Sequence, residues 1–298
     1  MHTHTAFCDG HGGVEDFCRA AWDRGFVSLG FSAHAPVYRK TGIVSDWHLQ
    51  EEQLSAYLEA VHAARRRWEG KLPVYLGLEV DYIPGLMGPQ DADYRGLGLD
   101  YLIGSVHYVP SPWGGMMLVD SSAEEFQRDL GGVFRHDGEA LMEAYWDAQL
   151  GMIRAGGFDI LGHMDLIKKN NAQEQWFSSS SEGYNRRAAA NAAALAHSSA
   201  VVEVNTGGLN RGSVQETYPS AAILRLLWEQ GVPAIVTADA HRPEHLGGFY
   251  ETARETLLRA GYTHALLFTG QPQWTPDPLL GQPGGAGGLT GAAPPRPV

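Results

Sequence analysis

The chain has 298 residues, 44% of them hydrophobic, enough to bury a large core as one big α/β domain or two smaller ones. Its formal net charge of −12 repels phosphate backbones, which argues against nucleic acid and favours small substrates. The two cysteines, Cys8 and Cys18, form no disulfide framework, no signal-peptide pattern opens the chain, and no apolar run approaches the ~18 residues of a spanning helix. A cytoplasmic protein with no membrane partner is expected.

The first element in chain order is MHTHTAFCDGHGG, whose His2 and His4 fall on one face of an extended segment. FVSLGFSAH (26–34) reads as a strand, and residues 45–70, with Leu49, Leu54, Leu58 and Val61 at helical spacing, as its crossover helix. Five further strands follow: VYLGLEVDY (74–82), DYLIGSVHYV (100–109), FDILGHMDLI (158–167), AVVEVNTGG (200–208) and PAIVTADAH (233–241). GYTHALLF (261–268) closes the set. Helical patterns occupy 137–157, 182–200, 218–231 and 242–261, each ending near Gly, Ser or Pro. This alternation predicts a single α/β domain over 1–270, a barrel of about seven βα units. Two stretches break the rhythm. Residues 109–138, rich in Gly, Pro and aromatics, read as a lid or pocket wall. The Gly/Pro-rich segment 271–298 reads as a flexible tail.

The chemistry lies at the strand ends. His34 ends the second strand, Glu79 the third, His107 the fourth and His163 the fifth, while Asp239 and His241 finish TADAH one residue apart. Taken singly, each has a plain structural reading: a hydrogen-bonded histidine, an ion-paired glutamate, a turn aspartate at Asp9. Yet six of the thirteen histidines and three carboxylates fall at or just beyond predicted strand termini, which in a βα barrel converge on one face. His48, His62, His136, His197, His245 and His264 lie in helical or loop segments, and most are assigned to solvent or helix faces.

Nine N and O donors exceed the needs of one ion. With four to six donors per ion and a carboxylate able to bridge, two to three divalent metals (Zn, Mn or Fe) are expected. Such a cluster suits hydrolysis, because metal-bound water has a pKa near about 7 and the ions neutralise charge on phosphoryl oxygens.

HTHTAFCDG, GFSAHAP, LGLEVDY, IGSVHYV, LGHMDLI, VEVNTGGLNRG and TADAH together resemble the polymerase and histidinol phosphatase (PHP) family, and within it the histidinol-phosphatases of the HisK type. The resemblance runs from residue 2 to about 262. It implies a distorted TIM-like (β/α)7 barrel, a trinuclear site, and hydrolysis of the phosphate monoester L-histidinol phosphate in histidine biosynthesis. The ligand pattern falls on His2, His4, Asp9, His34, Glu79, His107, His163, Asp239 and His241, with His11 as the alternative to Asp9. Arg211 is the expected phosphate clamp, since a guanidinium grips two oxygens, and Tyr108, Asn205 and His11 are expected substrate contacts. A metal-bridging hydroxide near His2, His4, Asp239 and Glu79 would attack phosphorus, with His241, His34 or a second bound water as the source of the leaving-group proton. Two other functions stay open: a PHP phosphoesterase for a nucleotide or other small ester, and a non-catalytic metal-binding barrel.

Overall fold

The computed structural model describes residues 1–37, 41–270 and 273–279. It is one curled parallel sheet wrapped by helices. In chain order the elements are α1 (Val14–Asp23), β1 (Leu29–His34), α2 (Leu54–Arg67), β2 (Val74–Asp81), β3 (Tyr101–Ser105), β4 (Tyr108–Pro110), β5 (Met116–Leu118), α3 (Ala123–Phe134) and α4 (Gly138–Ala155). There follow β6 (Ile160–Leu161), α5 (Glu182–Leu195), β7 (Val201–Asn205), α6 (Gly207–Asn210), α7 (Ala221–Glu229), β8 (Ala234–Thr237), α8 (Tyr250–Ala260), β9 (His264–Phe268) and β10 (Trp274–Pro278). The sheet order is β1-β2-β3-β6-β7-β8-β9-β10, parallel throughout except for the antiparallel β9–β10 pair. No helix among the described residues is long and apolar enough to cross a membrane.

The N-terminal segment takes its place in the barrel as the expected first strand, and it, rather than GYTHALLF, closes most of the sheet. The β8–β9 ladder has a single register pair among the described residues, Ile235 with Leu266, near the bottom of the sheet. Higher up, the N-terminal segment takes that place: Ala240 N–H donates to His2 O (3.2 Å), His4 N–H to Ala240 O (2.9 Å), and Ser32 N–H to Thr3 O (2.9 Å). Residues 2–4 therefore form the stave that joins β1 to the chain beyond β8, giving a distorted seven-stave barrel.

The period of two along each strand sorts the interior into layers. At the bottom Tyr101, Ile103, Ile160, Val201, Ile235 and Phe268 form an apolar plug. Gly77 is required there, since a Cβ would lie 2.6 Å from the Tyr101 ring. Above the plug the same rows continue as polar groups: Ser105 donates to Glu79 (2.6 Å) and Thr237 to Glu203 (2.7 Å).

Four elements differ from the sequence expectation. The pattern has no helix before Phe26, yet α1 forms, its start tied by the Gly13 N–H donating to Asp16 (2.8 Å). The predicted helix 45–70 is regular only over Leu54–Arg67, after a short 3-10 turn, because residues 45–50 turn inward. Stretch 109–138 walls the cavity at the strand ends as expected, through Leu118, Asp120, Ser121, Ser122 and Glu125, but with regular structure: most of the hairpin β4–β5, and helix α3, whose capping box Ser122/Glu125 follows the S-x-x-E spelling. Of the expected tail, Trp274–Pro278 is an edge strand on β9; residues 280–298 lie outside the described residues.

Candidate metal centre

The strand ends open onto a cavity of about 610 Å³ lined by Asp9, His34, Glu79, His107, His163 and His241, among others. Glu79 stands at its floor. Its Oε1 accepts from Ser105 and lies 3.0 Å from His163 Nε2. Its Oε2 faces three imidazoles: His34 Nδ1 at 2.9 Å, His2 Nε2 at 3.1 Å and His4 Nε2 at 3.5 Å. Asp239 approaches from the other side, 3.3 Å from His4 Nε2 and 3.7 Å from His2 Nε2. A positive φ of 45° at Asp239 bends TADAH, and both Asp239 and His241 line the cavity. His241 Nε2 sits 3.0 Å from Asp9 Oδ2.

All nine residues singled out at strand ends thus meet in one place. Donor atoms of His4, Asp9, His34 and His241 lie within 4.8 Å of one another, as do those of His2, His4 and Glu79, and of His34, Glu79 and His107. Buried polar atoms ordinarily find partners. Here His2 Nε2, His4 Nε2, His34 Nδ1, His163 Nδ1, Asp9 Oδ1 and Glu79 Oε2 are buried and make no hydrogen bond within the described residues. Even the 2.9 Å approach of His34 to Glu79 lacks hydrogen-bond geometry. Unpartnered imidazole and carboxylate atoms on residues whose donors gather this closely are what a divalent cation needs, so the residues present fit a metal.

Behind these donors stands a layer that strand-end reading misses. Glu203, fully buried on β7, lies 2.8 Å from His2 Nδ1, and also accepts from Thr237 Oγ1 and the His163 N–H (both 2.7 Å) and from Asn205 (2.8 Å). Asp81 holds His107 Nδ1 at 2.8 Å through one oxygen and His48 Nε2 at 2.7 Å through the other. A carboxylate on one ring nitrogen fixes the tautomer and leaves the other nitrogen to face the centre. Both were signalled: Glu203 is the lone charge in the strand VVEVN, and Asp81 shares a strand face with Glu79 two residues away. His48, assigned to a helix face from sequence, is instead buried against Asp81, because residues 45–50 are not helical.

The electrostatics follow from this crowding. Burial would depress His2, but Glu203, Glu79 and Asp239 outweigh it and hold it well above its ordinary range. Likewise Asp81 and Glu79 overcome burial to raise His107 to about 9. His4 is pushed down to about 3 by burial, with His241 and His34 adding repulsion. Burial opposes ionisation of Glu79 and Asp239, yet the imidazoles around both, with Arg211 beside Asp239, bring them well below the carboxylate range.

Arg211 lines the cavity, its Nη2 donating to Asp239 Oδ2 (3.0 Å) and its Nη1 to His241 Nδ1 (3.2 Å). Lys169, which the motif reading passes over, lines it too, paired with Asp120 at 2.7 Å. Tyr108 is on the wall as expected. Two expected contacts are not. Asn205 is fully buried, its amide donating to Glu203 and its carbonyl accepting from the Gly207 N–H (2.7 Å), so both ends are used inside the fold. His11 is exposed and does not line the cavity; its backbone N–H donates to His241 O (2.6 Å). Of the two N-terminal alternatives, Asp9 reaches the donors and His11 does not.

Comparison with known proteins agrees with this geometry. The PHP domain model matches residues 1–207. Over 262 residues the chain is 34% identical to the "Probable histidinol-phosphatase" of Deinococcus radiodurans, covering 87% of this chain and 92% of that one. It is 24% identical over 269 residues to the Bacillus subtilis histidinol-phosphatase, covering 85% and 97%. The fold superposes on the hisK protein of Listeria monocytogenes with a TM-score of 0.74 at 24% identity, covering 84% and 98% of the two chains. It superposes on the Lactococcus lactis histidinol phosphate phosphatase, solved with zinc, L-histidinol and phosphate, with a TM-score of 0.63 at 18% identity, covering 92% and 97%. The converging strand-end donors and these matches together place the chain in the polymerase and histidinol phosphatase family.

Proposed function

We propose that the chain is a divalent-metal-dependent phosphatase that hydrolyses L-histidinol phosphate to L-histidinol and phosphate. The observation that carries the reading is the set of buried, unpartnered imidazole and carboxylate atoms around Glu79, in a cavity sized for a small ester. The names of the relatives, and the histidinol and phosphate in the Lactococcus complex, supply the substrate. Two to three ions, Zn, Mn or Fe, would be held by His2, His4, Asp9, His34, Glu79, His107, His163, Asp239 and His241. Bound there, divalent ions acidify coordinated water and neutralise charge on phosphoryl oxygens.

The chain's own groups do the rest. Arg211, already oriented by Asp239 and His241, presents its remaining N–H groups to phosphate oxygens. Lys169 adds a second positive charge in the same cavity. Asp239 is the expected acceptor for the proton of the attacking water, and His241 or His34 the donor to the leaving alkoxide. Tyr108 shapes the space for the organic part.

The test is phosphate release from a panel of histidinol phosphate, nucleotides and simple esters, with and without chelator. Chelator-sensitive cleavage of histidinol phosphate is expected; cleavage of nucleotides alone would overturn the assignment. Glu203→Gln supplies a separate check. It removes the negative charge that orients His2, and metal affinity is expected to fall about 10- to 100-fold in competition with a chromophoric chelator. Unchanged affinity would strip Glu203 of that role.

A further inference from the structure

Residues 41–50 contain no strand or α-helix, yet they form one wall of the cavity through Val44, Ser45, Asp46 and Trp47. A tryptophan on such a segment would sample many orientations unless its neighbours were fixed. They are fixed here. His48 packs against the Trp47 indole with ring centroids 3.7 Å apart and planes tilted by 35°. Ser45 Oγ lies 2.7 Å from His48 Nδ1, and His48 Nε2 lies 2.7 Å from Asp81 Oδ2. The other oxygen of Asp81 holds His107. On the next residue, the Leu49 N–H donates to His34 O (3.1 Å), so the segment is tied to two of the metal-facing histidines.

Trp47 consequently stands edge-on to His34 (centroids 4.6 Å, planes at 89°) and to His107 (5.4 Å, 84°). It lies nearly parallel to Tyr108, at 15° and 6.0 Å. Nothing in metal binding or phosphate binding needs an indole in this position. A flat apolar wall beside the phosphate-binding cations is what a planar ring in the ester requires, since aromatic pairs add attraction beyond the area they bury.

We propose that Trp47 is a specificity-determining residue that receives the planar ring of an aromatic phosphate monoester, and that His48 is the positioning residue that locks it there through Asp81. The proposal deepens the function argued above and rests on its reading of the cavity as a phosphoester site.

The experiment compares two ring-bearing esters, histidinol phosphate and phenyl phosphate, with the ring-free O-phosphoethanolamine, in zinc- or manganese-loaded enzyme. Trp47→Ala is expected to lower kcat/KM about tenfold for the ring-bearing esters, mainly through KM, and less than about twofold for the ring-free one. Trp47→Phe should retain most of the preference. His48→Ala should reproduce the selective loss and His48→Gln, which can still donate to Asp81, should restore it. Equal losses on all three esters, or none, would overturn the proposal. Wild-type cleavage of phenyl phosphate but not histidinol phosphate would instead refute the substrate named above, with the Trp47 comparison still readable.

A readout independent of activity uses metal-free protein labelled with ¹⁵N-tryptophan, the Trp47 indole peak being the one missing in Trp47→Phe. The peak is expected to be sharp in wild type and His48→Gln, and broadened or split in His48→Ala. An unaltered peak in His48→Ala would remove the positioning role.

Discussion

Chelation is expected to abolish phosphate release and to loosen the first five residues before any other part of the sheet. The stave at 2–4 is tied to its neighbours by three backbone hydrogen bonds, to Ala240 and Ser32, and its imidazoles converge on Glu79 and Asp239. Ligation would bind that segment to both sides of the barrel at once. An ion present at 100 times its Kd contributes about 2.7 kcal/mol to folding. For a chain of this size, with an unfolding entropy of about 2.1 cal/mol/K per residue, that is a fall in Tm of roughly 4 °C on stripping a single ion. Hydrogen exchange should rise over residues 2–5 while β3 and β7 stay protected, and unchanged N-terminal exchange would count against it. The stripped protein should also weaken as pH rises from about 6.5 to 9. His107 is raised to about 9 in the folded state, against about 6.5 unfolded, so its pairing with Asp81 stabilises fully below 6.5 and is lost as pH climbs through 9.

His241→Ala is expected to cost at least about 10³-fold in kcat/KM while leaving the fold intact. His241 stands at the mouth, its side chain 17% exposed, so truncation empties little of the core. It nevertheless touches much of the machinery: Asp9 Oδ2 at 3.0 Å, Arg211 Nη1 at 3.2 Å, and the His4 ring, stacked at 4.2 Å. Removing it takes away a metal donor, frees Asp9 to swing, and releases one of the two anchors that aim Arg211. Circular dichroism should match wild type. Full activity in this variant would refute the site.

The donors were legible in the sequence because parallel strands end on one face, so position at a strand end already encodes proximity. The groups behind them were marked only by a lone charge or a shared strand face, and their partners were hidden because these come from register. Glu203 meets His2 only because the N-terminal stave lies between β1 and the chain beyond β8, where the His2 side chain reaches into the barrel, a closure that GYTHALLF conceals by reading as an equally good strand. His48 sits in a stretch with helical spacing, but its bond to Asp81 and the burial of Leu49 outweigh that local preference. Asn205 ends a strand, as cavity residues such as His34 do; its amide, however, is consumed by Glu203 and Gly207.

At the far edge of the sheet, β10 carries the sequence WTPDP. The Leu279 N–H donates to Thr263 O and Gln273 O accepts from the Thr269 N–H, so the odd-numbered residues bond to β9 and the even-numbered ones turn the other way. Two of those outward positions, Pro276 and Pro278, have no N–H to offer. The strand that borders the sheet there is thus a poor template for another, and copies of the chain are hindered from joining edge to edge into an extended sheet.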